Sequence, residues 1–572
     1  MRFPKRTAST IVSLALVWGL ASCSSGADQE TGVTEESTTG TTEEDTPADP
    51  LRQARTANLS TAVSENFPAT PTVVADPGFS GVDASRLFFD RSDTVVVAGP
   101  GVAEELRAAS IAIASHSPVL HATPETEAAV KGEIARLEAS HVLVVGEALG
   151  DVDSGEINVI RDPGTQEALA QLTARQFEVR TVDSASEVVR DIAAVDPEAQ
   201  VLLVPSWTSV PEKSDSDKLP AFPAQSNRDA EMAPVVVAAP ESGISAVATA
   251  RAYGADVRYM TYPDPRLNLE QMKMVAGLAD QPLVALGEQF GSAAELSAKI
   301  RRGETVTTEL PGGGGLVFPG RRMVALYGHP SGPALGAMGE QPPAEAVARV
   351  RELSEQYQPF SDQPVIPAFE VIATVASEFP GDDGNYSNES APGDLAPYID
   401  AITDAGGYAV IDLQPGRGSF LEQAKIYADL LKRPNVGLAL DPEWKIGEGE
   451  LPMSRVGSAD ASEINEVADW LAALTRDNGL PQKALILHQF QAQMLVNREA
   501  INTDHIELAF VLHADGHGTP EDKFETWNML RENLSRDYFM AWKNFHDEDF
   551  PMFTPEQTLS RVVPTPWFVS YQ

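Results

Sequence analysis

Asp441 and Glu443 stand two residues apart in Leu438-Ala439-Leu440-Asp441-Pro442-Glu443-Trp444. On an extended strand, positions i and i+2 face the same side, about 6–7 Å apart. Two carboxyls at that spacing pull their proton affinities apart, so one keeps a proton beside an ionised partner. That is the equipment of general acid catalysis. A second concentration of chemistry is His513-Ala514-Asp515-Gly516-His517, two imidazoles and a carboxylate of the types that bind zinc or another divalent ion. The nine histidines are otherwise scattered and form no His-x-His pair, so no metal and no cofactor is assigned from sequence. A G-x-S-x-G elbow is absent, which disfavours a Ser-His-Asp hydrolase. No strand is followed by G-x-G-x-x-G or a Walker pattern, which disfavours a nucleotide.

These residues need elements to position them, and the C-terminal half supplies a regular set. Eight strand-like runs follow Arg321: Met323–Tyr327, Val365–Val371, Tyr408–Asp412, Val436–Asp441, Ala484–His488, Glu507–His513, Tyr538–Lys543 and Trp567–Tyr571. Amphipathic stretches such as Ala344–Gln356, Phe420–Leu431, Ala461–Arg476 and Pro520–Asn533 separate most of them, with Ser458 or Ser462 and Thr519 as expected N-caps. Eight such units over residues 321–572 predict a (β/α)8 TIM-like barrel. Chemistry in that fold sits at the C-terminal strand ends, and those ends are polar here. His329 follows the first run and Glu370 lies on the second; Asp412, Gln414 and Arg417 close the third, and Asp441 and Glu443 the fourth. His488 and Gln489 end the fifth, His513, Asp515 and His517 the sixth, Asn544, His546 and Asp547 follow the seventh, and Tyr571 ends the eighth.

The Asp-x-Glu at the end of run four resembles the catalytic segment of Chalaropsis-type muramidases and chitinase-like barrels. The resemblance implies that Glu443 protonates the leaving glycosidic oxygen and that Asp441 steadies the substrate's acetamido group as it attacks. Asp412 and Asp515 complete the expected catalytic set. Trp444, His488, Gln489, Gln414, Arg417, His513, Asn544 and Tyr571 are the expected substrate-binding residues, and Trp444 and Trp567 the candidate sugar-stacking faces.

Residues 56–305 alternate β-branched runs with helical stretches, which predicts parallel sheets covered on both faces. The pattern recurs. Val95-Val96-Val97-Ala98-Gly99-Pro100 is echoed by Val235-Val236-Val237-Ala238-Ala239-Pro240, and Val145-Gly146-Glu147-Ala148-Leu149-Gly150 by Leu286-Gly287-Glu288-Gln289-Phe290-Gly291. The offsets of 140 and 141 predict a duplicated, Rossmann-like α/β unit, with Val201–Pro205 a further strand. The region resembles cell wall-binding repeat type 2 modules, which implies non-covalent attachment to a wall polymer. Residues 306–320, with Pro311-Gly312-Gly313-Gly314-Gly315, read as a linker.

At the N-terminus, Arg2, Lys5 and Arg6 precede an apolar stretch, Ile11–Leu20, that is too short to span a bilayer. It ends in Leu20-Ala21-Ser22-Cys23, which resembles the lipobox of bacterial lipoprotein precursors. That implies removal of residues 1–22 as a signal peptide and a lipid on Cys23, the sole cysteine. Residues 23–55 are small, polar and acidic, and read as a disordered stalk. The 42 basic and 83 acidic residues leave a formal charge of −41, which argues against nucleic acid as partner. The sequence therefore predicts a lipoprotein anchored at the outer face of the plasma membrane. It would bind the wall and act on, or recognise, a wall glycan through its barrel. The alternative is a wall-binding scaffold that cuts nothing.

Overall fold

Parallel strands buried on both faces read as continuous apolar runs, and eight of them close on themselves in the C-terminal half. A computed structural model describes residues 49–150, 157–208, 218–226, 232–306 and 308–572. The leader, Cys23 and the stalk up to residue 48 lie outside the described residues. The barrel strands are Arg322–Gly328, Val365–Ala376, Tyr408–Leu413, Val436–Leu440, Lys483–Gln489, Leu508–Ala514, Phe539–Asn544 and Phe568–Tyr571, each within a few residues of its expected run. Each pairs in parallel with its neighbours in chain order, and the first pairs with both the second and the eighth, so the barrel is closed. Strand two overshoots the wall and takes up Ser387–Glu389 as an antiparallel partner.

Alternation along each strand sorts the side chains. Outward residues such as Leu326, Phe369, Ile411, Leu438, Leu487, Leu512, Trp542 and Val569 join the helix-facing core. Inward residues Met323, Ala325, Ile366, Ala368, Tyr408, Val410, Ala439, Ile486, Val511, Ala541 and Phe568 fill the lower barrel, closed beneath by Leu310, Val317 and Phe318. Small residues from strands four to seven leave room for Tyr408 and Phe568, so the interior is packed apolar material. The next inward position up each strand is where polarity begins. Among the helices, Thr519 caps Pro520–Arg531 as expected, reciprocated by Asp522. Helix Ala461–Asp477 is capped instead by Asp460, whose side chain accepts from the backbone N–H of Ser462. Asp460 is the residue immediately before the helix, whereas Ser462 lies inside the first turn and its hydroxyl itself donates to Asp460 Oδ1 at 2.6 Å.

Among the described residues, the N-terminal half holds two four-stranded parallel sheets and a parallel pair, Glu178–Val182 with Val201–Pro205. One has the spatial order Val119–His121, Thr94–Ala98, His141–Val145, Asn158–Asp162; the other Val257–Tyr259, Val235–Ala238, Leu283–Leu286, Thr72–Val74. Three successive strands occupy the same places in both, which accounts for the repeated motifs. Helices Val102–Ser115 and Ile244–Tyr253, each following a central strand, pack against one another, and Thr249 Oγ1 accepts from the Val119 N–H at 2.9 Å across the joint. Glu104 turns back to the start of its helix, where its carboxylate accepts from the Gly101 N–H at 3.0 Å. A Cβ on Gly146 would lie 2.3 Å from Glu104 Cδ, so only glycine leaves this carboxylate its place between the strand ends.

The glycine linker is tied on both sides. The Gly315 N–H donates to Arg266 O and its carbonyl accepts from the Gln482 N–H, both at 2.9 Å. Gly314 has φ +73°, and a Cβ there would lie 1.9 Å from Leu267 O. Helix Arg52–Leu59, whose first residues fall within the expected stalk, is likewise held, with Asn58 donating to Ala276 O at 2.9 Å. Pro50–Gln572 packs as one unit.

Candidate active site at the barrel mouth

Above the apolar filling, every barrel strand contributes a polar group. Tyr327, Glu370, Asp412, Asp441, His488, His513 with Asp515, Lys543 and Ser570 come from strands one to eight in order, and the least buried of them is 6% exposed. Such a layer is costly unless its members satisfy one another. His488 stands at its centre. Its Nδ1 lies 2.9 Å from Asp515 Oδ2 and its Nε2 2.8 Å from Glu370 Oε1. His513, its register partner on strand six, packs ring to ring at 4.6 Å and contacts Ser570 Oγ through Nε2 at 3.0 Å. The Tyr327 hydroxyl donates to Asp412 Oδ2 at 3.0 Å, and Lys543 Nζ lies 3.8 Å from the Tyr327 ring centroid.

Satisfaction is incomplete. Glu370 Oε2, Asp412 Oδ1, Asp441 Oδ1, Asp515 Oδ1 and His513 Nδ1 are buried with no hydrogen-bond partner among the described residues. Acceptors outnumber donors. Protonation relieves part of the excess. Burial, reinforced by Asp515, pushes the Glu443 carboxyl up to about 7. Burial and the neighbouring Glu443 hold Asp441 well above the usual carboxylate range. Asp412 rises to about 6, through burial first, with Glu370 adding and His488 opposing. Burial would drag His488 down, but Glu370 and Asp515 on either side outweigh it and hold the ring well above its ordinary value. His513 is pushed well below by burial and by the cations His488 and Lys543. Burial also works against ionisation of Asp515, but the hydrogen bond and charge of His488 win and lower it.

The route to Glu443 differs from the sequence expectation. Strand four ends at Leu440, and Pro442–Trp444 forms a 3-10 turn. Proline cannot donate to a strand ladder, so the chain leaves the wall here. Asp441 stays in the floor at 2% exposure, while Glu443 and Trp444 rise half-buried to the rim. The pair remains electrostatically joined, but by a step between floor and rim rather than along an extended edge.

Other expected site residues divide by strand parity. Asp412, Asp441, His488, His513 and Asp515 face the interior together. Gln414 joins them from the rim, donating to the Tyr327 hydroxyl at 3.3 Å. Arg417 ties two loops, donating to Glu450 O at 2.6 Å over the Tyr386 ring. Gln489 points outward and holds its own loop through Gln491 O and Ala492 O, at 3.1 and 3.2 Å. Asn544 and Tyr571 also face the helices: Asn544 accepts from Trp542 Nε1 at 2.9 Å, and the Tyr571 hydroxyl meets that of Tyr357 at 2.6 Å. Trp567 lies at the opposite end of the barrel, packed on Phe318 and Phe539 at 6.0 Å and under Arg322, so it cannot stack on a ligand in the mouth. His517 is exposed, against Phe545, and does not join His513. Lys543, Ser570 and Tyr327 went unassigned from the sequence, although counting inward positions in twos from Ala541, Phe568 and Ala325 reaches all three.

The fold and site define a closed eight-stranded parallel α/β barrel with an acidic, histidine-bearing mouth. No protein-family model matches the chain, and comparison with curated proteins gives no match.

Proposed function

We propose that this is a cell-surface lipoprotein whose barrel hydrolyses a glycan of the cell envelope, with Glu443 as general acid. The observation that carries the reading is the placement of Glu443. It is the mouth carboxyl that reaches the rim, it holds a proton up to about pH 7, and a second protonatable carboxyl, Asp441, lies directly below it in sequence and charge. Trp444 stands beside it, half-buried, with its indole N–H free of any partner among the described residues. A partly exposed indole face suits a sugar. In the retaining, substrate-assisted form of the reaction, Glu443 protonates the departing oxygen while Asp441 steadies the attacking acetamido group. Leu20-Ala21-Ser22-Cys23 and the duplicated sheets support lipid anchoring and wall binding by the remainder of the chain.

One observation favours a second reading, glycan recognition without cleavage. Glu370, Asp412, His488 and His513 are 0% exposed, so a polymer resting on the rim would not reach them without movement of the loops above. Incubation of the protein with purified wall fragments, followed by assay of new reducing ends, separates the two. Release supports the hydrolase, and binding without release supports recognition alone.

A further inference from the structure

We propose that the floor of the mouth is a binding site for one divalent cation of the zinc class, held by Glu370, His488 and His513. The proposal does not depend on the hydrolase reading. Donor atoms of these three side chains all lie within 4.8 Å of one another. Each residue is 0% exposed, and each comes from a different strand of a closed barrel, so their separation is fixed by the wall.

The orientation of the rings carries the argument. A metal-ligating histidine gives one nitrogen to the ion, and its other ring N–H goes to an outer acceptor that fixes the tautomer. Both histidines have that outer partner. His488 Nδ1 is tied to Asp515 at 2.9 Å, and His513 Nε2 to Ser570 Oγ at 3.0 Å. The two remaining nitrogens face one carboxylate: His488 Nε2 is 2.8 Å and His513 Nδ1 3.8 Å from Glu370 Oε1. His513 Nδ1 and Glu370 Oε2 are both buried with no hydrogen-bond partner among the described residues, which is how ligand atoms look without their ion. Two imidazoles and a carboxylate with a further position open is a donor set that zinc accepts. The proton between His488 Nε2 and Glu370 would leave as the ion enters. A second grouping, Asp441, His488 and Asp515, also lies within 4.8 Å, but it offers a single imidazole and leaves the orphaned His513 Nδ1 and Glu370 Oε2 unexplained.

The test is metal binding by the full-length protein, stripped with chelator and then titrated with Zn2+ and, separately, Co2+. We expect one equivalent bound, release of a proton, and a visible d–d band with Co2+. His513→Ala and the shape-conserving Glu370→Gln should abolish tight binding. Ser570→Ala, which removes only the outer partner, should weaken it by about 10–100-fold. Glu443→Gln should retain the ion, whatever happens to glycan cleavage. The proposal is overturned if the wild type binds no stoichiometric ion at micromolar Zn2+. It is equally overturned if a natively folded Glu370→Gln loads as well as the wild type, since acidic surface groups would then be the ligands.

Discussion

Replacing Glu443 by glutamine should stabilise the folded protein in alkaline solution and leave it unchanged in acid. The ordinary value for this carboxyl is 4.5, and its surroundings raise it to about 7, burial first and Asp515 next. Between those two values the folded state binds more protons than the unfolded state. Stability contributed by this group is therefore fully present below pH 4.5, declines as pH rises through 7, and stays low above it. At about 1.4 kcal/mol per pH unit, the gap corresponds to about 3 kcal/mol. Proton sharing with Asp441 and the position of Glu443 at the rim reduce this to about 1–3 kcal/mol. Glutamine is neutral throughout and escapes the penalty. Urea unfolding of both forms at pH 4.5 and pH 8 reads the difference directly. A gain confined to pH 8, with the same urea dependence in both forms, is expected. An equal effect at the two pH values, or a loss at pH 8, would refute the assignment of Glu443 to a proton-holding environment.

Three further outcomes follow from separate parts of the chain. Asp162→Asn removes the charge facing buried Arg107, which also donates to Thr165 O at 2.8 Å; stranding that guanidinium should cost about 3–5 kcal/mol in chemical denaturation. Gly314→Ala places a methyl 1.9 Å from Leu267 O in a φ +73° backbone. It should lower the melting temperature and expose the 306–320 segment to protease, whereas a neighbouring Gly313→Ala meets nothing within 4 Å and should suffer only the milder penalty of its φ of +95°. Cys23→Ala should abolish lipid labelling and release the protein from membranes, and membrane retention that survives the substitution would remove the anchor from the account.

The barrel was legible because its signal is local and repeated. Eight apolar runs separated by helical stretches need no long-range information to count, and their ends lie within a few residues of the observed ones. The parallel N-terminal sheets were legible for the same reason. Which polar residues look inward was only half legible. Strand parity is fixed by the wall, so one wrong assumption about which residue starts the alternation moves a side chain from mouth to helix layer. A shift of one residue exchanges Asn544 and Tyr571, which face the helices, for their neighbours Lys543 and Ser570, which face the mouth. Trp567 was misplaced by polarity of the barrel rather than parity: it begins strand eight and so belongs to the closed end. The turn at Pro442 is written in the sequence, because proline leaves the ladder, whereas the Asp-x-Glu spacing taken alone implies a strand through it. Nothing local shows that His488 bridges Glu370 and Asp515, 118 and 27 residues away, because that contact exists only when the barrel closes.

The central claim is that Glu443 donates a proton to a glycan. The measurement that tests it most directly is release of reducing ends from purified peptidoglycan and wall polysaccharide by the wild type and by Glu443→Gln, with binding to the same fragments measured in parallel. General acid catalysis contributes about 10²–10⁴-fold, so the glutamine form should bind as the wild type does and cleave at least about 100-fold more slowly. Equal release by both forms, or none from the wild type on any wall fraction, would contradict it.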